Sequence, residues 1–203
     1  MRFLKFILTF SLFLFAFVGD YVVFKSKYSD SLMFRAATDS LVHGFIGLLS
    51  AALFFSHKLH VSTEVCLLNT LFCTLMSSMI DIDHVFVAKS FYLKDLTTLS
   101  KRGIFHCTTF WTLISAISLT YSYILRRLNL FVLTFMLIIA FTSHHLRDGN
   151  RRGLWLYPYG HTPPIHKYLY TILLAVLPNV FAYIFSYIRK DFKDNVVEYM
   201  SII

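Results

Sequence analysis

Charge is what this chain has least of. Only 15% of its 203 residues are Asp, Glu, Lys or Arg, against about 25% in ordinary soluble domains. That shortage excludes most soluble classes. It also excludes disorder, which needs polar, highly charged sequence. Cysteine is scarce too: Cys66, Cys73 and Cys107 are an odd number without CxxC spacing, so they build no disulfide framework. Cys66 and Cys73 share one face of an apolar run and read as small packing residues. Nucleic-acid signatures are missing despite a net charge of +8: there is no basic helix, no aromatic nucleotide-binding motif and no C2H2 spacing. The cations lie scattered between apolar runs, where they anchor span ends and meet anionic lipid headgroups.

What is present is hydrophobic sequence, 57% of the chain at a mean hydropathy of +0.63. It falls into six runs, about 3–24, 34–55, 61–81, 104–125, 128–146 and 167–188. As helices these runs reach about 25–30 Å, close to the hydrocarbon thickness of a bilayer. Helix is the economical spanning state because it satisfies its own backbone amides. The alternating segments of about ten residues that mark a β-barrel are absent. The expectation is an all-α, polytopic helical membrane protein of about six transmembrane helices. Residues 1–188 form a single membrane domain and 189–203 a polar tail. Arg2 and Lys5 open the first run like a signal anchor, and no small-x-small cleavage site follows, so it reads as an uncleaved span with Asp20 near the interface. Loops 85–103 and 149–166 are the sizeable non-membrane pieces, the second rich in Gly and Pro.

If each run crosses once, the ionisable groups collect at one membrane face. Asp81, Asp83 and His84 end the third span, His106 begins the fourth, and His144, His145 and Asp148 end the fifth. Asp39 and His43 lie in the first turns of the second. Several spans bringing His and Asp to one face is how metal or proton sites are built in helical bundles. Each element also has a plainer reading. Asp39 and His43, one turn apart, suit a hydrogen-bonded packing pair. Asp81-Ile82-Asp83-His84 offers three ligands in four residues, or a charged helix end at the headgroups. His144 and Asp148 have i,i+4 spacing and can face one ion or each other, whereas His145 points about 100° away. Arg102, Arg147, Arg151 and Arg152 either clamp a phosphate or carboxylate or anchor helices in headgroups. His57, His60, His161 and His166 are set aside, as is Cys107.

The blocks Asp39-x-x-x-His43, Ile80-Asp81-Ile82-Asp83-His84, Phe105-His106-Cys107 and Thr142-Ser143-His144-His145-Leu146-Arg147-Asp148-Gly149 resemble the eukaryotic transmembrane protein 267 family. Arg152-Gly153-Leu154-Trp155 and Pro158 to Gly160 fit too, so the likeness covers about residues 34–165. It implies a multi-pass membrane protein and no particular activity. A more distant similarity is to bacterial membrane-bound metal-dependent hydrolases, which share an early His, a P-D-x-D-H block, an H-R-G-x-T-H-S block and an S-H-x-x-x-D block. His43, then Asp81, Asp83 and His84, then Arg102, Gly103 and His106, then Ser143, His144 and Asp148 match these in order. Ile80 replaces the proline, and Lys101, Phe105 and Cys107 depart from the third block.

That similarity implies a divalent metal (zinc, iron or manganese) on His43, Asp81, Asp83, His84, His106, His144 and Asp148. Asp81 or Asp83 would be the general base, and a lipid or phosphoester the substrate. Membrane lipids are expected partners and nucleic acid is not. Two other functions compete. A non-catalytic scaffold would retain the cluster for structure, as Lys101 in place of a histidine suggests. An ion or proton transporter would need a polar stripe continuing to the other face, which spans one, four and six lack beyond Ser and Thr.

Overall fold

Serine starts two of the long helices. Ser31 and Ser62 sit in extended backbone and accept N–H groups three residues on, from Phe34 at 3.4 Å and Val65 at 3.3 Å. Those bonds satisfy donors that the first turn of a helix leaves orphaned. The computed structural model, which describes residues 2–99 and 101–192, is an all-α bundle with one small hairpin. Its elements run α1 (Arg2–Lys25), α2 (Leu32–Phe55), α3 (Thr63–Met79), a 3-10 turn (Ile80–Ile82), α4 (Asp83–Ala88) and α5 (Leu93–Thr97). A second 3-10 turn (Ile104–His106), α6 (Thr108–Ile124) and α7 (Leu128–Arg152) follow. The antiparallel strands β1 (Trp155–Leu156) and β2 (Gly160–His161), α8 (Lys167–Ile188) and a 3-10 turn (Arg189–Phe192) complete the order. The tail expected at 189–203 thus begins as a 3-10 turn, and 193–203 lie outside the described residues.

Among the described residues five segments are long and apolar enough to cross a membrane: α1, α2, Thr63–Ala88, α7 and Lys167–Phe192. The run expected at 104–125 holds a shorter helix, the 17-residue α6, roughly 26 Å long at the α-helical rise. Its opening residues form the 3-10 turn that carries His106 inward. By contrast α7 continues to Arg152, past the expected end at 146, and keeps Asp148 helical. Outward faces are apolar: Phe6, Leu67, Ile117 and Tyr187 are each more than half exposed. Water would drive such surfaces together, whereas lipid solvates them. The chain is a multi-pass membrane protein.

α7 is the central element, packed on α2, α3, α6 and α8. Phe54, Phe131, Phe135, Phe185 and Phe192 stack into one apolar core on its early half. Towards its C-terminus the same helix buries polar groups instead: Ser143, His144, His145 and Arg147. α2 meets α3 through small residues. A Cβ on Gly47 would lie 2.7 Å from Ser77 Cβ, and one on Gly44 would lie 2.6 Å from Ser78 Oγ. This close approach lets Ser77 Oγ donate to the His43 carbonyl at 2.9 Å and Ser78 Oγ to that of Ser40 at 2.8 Å. Cys73 completes the seam, its thiol 3.5 Å from the Gly47 carbonyl. Gly47→Val is therefore expected to cost about 1–3 kcal/mol through overpacking. A lower midpoint of thermal unfolding in detergent would show it, and an unchanged midpoint would refute the close contact.

Candidate metal centre

The end of α3 decides where the site forms. The helix tightens into the 3-10 turn Ile80–Ile82 before α4 resumes, so Asp81 and Asp83 leave in different directions. Both reach His106, from opposite ends of its ring. Asp81 Oδ1 lies 3.2 Å from Nε2, and both carboxylate oxygens of Asp83 lie 3.1 Å from Nδ1. With Nδ1 donating to Asp83, Nε2 can turn a lone pair to a cation, or a second N–H to Asp81 while none is bound. His144 is set in the same way: its Nδ1 donates to the Ser77 carbonyl at 2.8 Å and leaves Nε2 bare. The two Nε2 atoms face each other at 3.4 Å. These tautomers are assigned from the acceptors beside each ring.

Asp148, one turn beyond His144 on α7, places a carboxylate oxygen 3.5 Å from His106 Nε2 and 3.8 Å from His144 Nε2. Asp81 Oδ1 is 3.5 Å from His144 Nε2. Asp81, His106, His144 and Asp148 thus offer one ligand atom each, all within 4.8 Å of one another. A tetrahedron with metal–ligand bonds of about 2.1 Å has edges of about 3.4 Å. The measured separations of 3.2, 3.4, 3.5, 3.5 and 3.8 Å lie around that value. Two imidazoles with two carboxylates form a donor set that suits zinc, iron or manganese.

His43 stacks on His144 with ring centroids 3.8 Å apart, and its Nε2 stands 3.6 Å from Asp148 Oδ1. It is 1% exposed, and neither ring nitrogen has a hydrogen-bond partner among the described residues. A buried orphan imidazole beside four donors fits a site that takes a further group. His84 stacks on His106 at 5.0 Å, half-buried, with Nε2 3.9 Å from Asp81. Asp83, His84 and His106 make a second group able to hold an ion, but it shares His106 with the first. Asp83 is also occupied, since it accepts the Phe105 N–H at 3.0 Å besides His106. Gly103 is required behind it, because any Cβ there would collide with the Asp83 carboxylate. His145 turns away, as its 100° offset implies: Nε2 donates to the Phe105 carbonyl at 2.9 Å and Nδ1 accepts from the Thr108 hydroxyl at 3.1 Å.

Three sequence expectations need correction. Asp39 and His43 do not pair. Asp39 turns to Arg147 at 2.6 Å and Arg151 at 3.7 Å, because two cations outcompete one buried imidazole. Arg147 is neither at the headgroups nor on the cavity. It is 1% exposed, and its Nε donates to Asp20 Oδ1 at 3.0 Å. Asp20, expected at the interface, is held there with the Tyr170 hydroxyl donating to its other oxygen. Of the remaining arginines, Arg102, Arg151 and Arg152 line a cavity of about 460 Å³ in front of the cluster, and so does Arg35, which sequence reasoning passed over. Asp81, His84, His106 and Asp148 form its polar floor. Lys101 lines a neighbouring groove with Trp155 and His161 and does not reach this cavity.

Bundle and cluster together define the class: a polytopic helical membrane protein with a buried His/Asp centre at one end of its spans. The chain is 37% identical over 171 residues to transmembrane protein 267 of Xenopus laevis, covering 82% of this chain and 76% of that one. Transmembrane protein 267 of Danio rerio is 36% identical, covering 82% and 74%, and that of Mus musculus 36% identical, covering 74% and 68%. The chain belongs to the transmembrane protein 267 family. No protein-family profile and no solved structure matches it.

Proposed function

We propose that this protein holds a divalent cation on Asp81, His106, His144 and Asp148, and that the centre serves metal-dependent hydrolysis at the membrane surface. One observation carries the reading: two imidazole lone pairs and two carboxylates converge at the spacing of a tetrahedral ligand set. Arg151 balances Asp148 at 2.5 Å, whereas among the described residues Asp81 meets only imidazoles, and a cation on the four would complete its pairing. Asp83 holds the proton on His106 Nδ1, and the Ser77 carbonyl holds that on His144, so both rings keep Nε2 free. We assign Asp83 this orienting part rather than that of general base. Asp81, 25% exposed at the cavity floor, is the carboxylate placed to accept a proton from an entering water. A cation there would activate a water by lowering its pKa towards about 7, through a coordination position beyond the four residues such as five- and six-coordinate divalent ions have. The hydrolytic part of this reading is motivated by the resemblance of the sequence blocks to bacterial hydrolases, which also implies His43, Asp83 and His84 as ligands. Lys101, standing apart, removes one donor of their pattern and favours a single cation.

The test is elemental mass spectrometry on the full chain purified in detergent without chelators. We expect one zinc, iron or manganese per chain. Asp81→Ala and His144→Ala should lower occupancy at least about tenfold while eluting as the wild type does. A well-folded wild type that stays metal-free after reloading would overturn the centre and favour a non-catalytic scaffold.

A further inference from the structure

The cavity in front of the cluster has two chemically distinct walls. Arg35, Arg102, Arg151 and Arg152 supply one. Arg151 is engaged, 2.5 Å from Asp148. Among the described residues the other three have no carboxylate within ion-pair distance. Arg102 is the most constrained: Nη1 donates to the Gly153 carbonyl at 2.9 Å, while Nη2 is buried without a partner among the described residues. Burial lowers its pKa from the ordinary arginine value, Asp148 and Asp83 raise it in part, and Arg152 and Arg151 lower it. An anion in the cavity would pair the bare Nη2 and offset the lowering effects. The other wall is apolar: α5 lies against α2 and presents Leu93 and Leu96, and Leu99 just beyond it joins them. Just before it, Phe91 and Tyr92 are 89% and 79% exposed, as aromatic residues are where a protein meets the lipid interface.

We propose that this cavity binds a phosphate group carried on an acyl chain, the phosphate on the free arginines and the start of the chain along the leucines. The inference rests on the cation reading for its charge balance. Four arginines face Asp39, Asp81 and Asp148, and a divalent cation on the cluster leaves the cavity about three charges positive. A phosphate ester matches that excess better than a carboxylate does, and its oxygens suit the guanidinium fork. A neutral headgroup leaves the buried Arg102 nitrogen unpaired.

The test titrates the full chain in detergent, zinc-loaded and with zinc counted per chain, against four probes. These are dioleoyl phosphatidic acid, dioleoylglycerol, glycerol phosphate and inorganic phosphate. Phosphatidic acid should bind saturably and at least about tenfold more tightly than dioleoylglycerol. Arg102→Gln with Arg152→Gln should weaken it about tenfold at unchanged zinc content. The Arg152 side chain makes no hydrogen bond or ion pair among the described residues, so Arg152→Gln alone keeps the test if the double variant folds poorly. Phosphatidic acid binding no better than dioleoylglycerol, or equally well to the arginine variants, overturns the proposal. Inorganic or glycerol phosphate binding as tightly as phosphatidic acid overturns the acyl part and assigns the arginines to a soluble phosphate. Zinc counts separate the two readings. A wild type free of zinc, iron and manganese even after reloading that still binds phosphatidic acid through its arginines refutes the cation and upholds the phosphate. A zinc-loaded one that ignores phosphate does the reverse.

Discussion

Arg147→Met is expected to unfold this protein in mild detergent, not to alter what it binds. The guanidinium ties four helices together. From α7 it reaches Asp20 on α1 at 3.0 Å and Asp39 on α2 at 2.6 Å, and Tyr170 on α8 donates to the same Asp20 carboxylate. Methionine fills much of the volume but leaves Asp20 and Asp39, 14% and 21% exposed, without their main counter-charge. Arg151, at 3.7 Å from Asp39, compensates only one of them. Breaking a buried pair from one side costs about 3–5 kcal/mol, because the partner charge remains desolvated. That is a large part of the stability of an ordinary domain.

The same physics predicts recovery. Arg147→Met combined with Asp20→Asn and Asp39→Asn removes every charge of the hub, and a neutral set of similar volume is often close to neutral in stability. The triple variant should regain most of the lost unfolding midpoint and elute as one species. Tryptophan fluorescence on heating, read beside size-exclusion elution, measures both. An Arg147→Met protein as stable as the wild type would mean that the carboxylates are solvated and the hub contributes nothing. Metal content per folded chain should be unchanged in the triple variant, since no hub residue offers an atom to the His/Asp cluster.

The fold was largely legible because its signal is redundant: an apolar run about twenty residues long can satisfy its backbone in lipid in few ways. The exact end of a run is not redundant. Nothing in Phe105-His106-Cys107 distinguishes a first helical turn from the 3-10 turn that turns His106 inward, because that choice is made by Asp83 and Gly103 packing behind the imidazole. The site was legible as a collection of ligand types at one membrane face, since topology alone brings span ends together. Pairing within the collection was not. Local spacing favoured Asp39 with His43, yet the tertiary fold offered Asp39 an arginine from α7. One signal for the hub was present: Asp20 inside an apolar run needs a partner. Its distance from Arg147 in sequence hid which one. Backbone partners such as the Ser77 carbonyl carry no sequence signal at all, although that oxygen fixes the His144 tautomer.

Asp83→Asn tests how the centre keeps its histidines in order, and it is expected to weaken metal affinity about 10–100-fold. The substitution is nearly isosteric, so the tight packing against Gly103 survives and the fold should stand. What changes is the proton on His106. The Asp83 carboxylate only accepts, takes the Nδ1 proton at 3.1 Å and also accepts the Phe105 N–H at 3.0 Å. An asparagine oxygen can keep the Phe105 bond, which then turns its NH2 group towards Nδ1. That NH2 group then competes at Nδ1 with the oxygen, which stands 3.1 Å from it, and where it donates, His106 accepts at Nδ1 and carries its proton on Nε2, the nitrogen that faces Asp81 and His144. A protonated Nε2 cannot ligate, so the cation loses one of four donors although no ligand residue has been replaced. Competition with a chelator of known affinity measures the loss, and the nitrogen shifts of labelled His106 in the metal-free protein report the tautomer. The two readouts should move together in Asp83→Asn. In Asp81→Asn affinity should fall while the His106 tautomer stays as it is, because that change removes a ligand oxygen and leaves Nδ1 bonded to Asp83. Wild-type affinity in Asp83→Asn with the tautomer reversed would show that the cation does not depend on His106, and would reduce the centre to Asp81, His144 and Asp148.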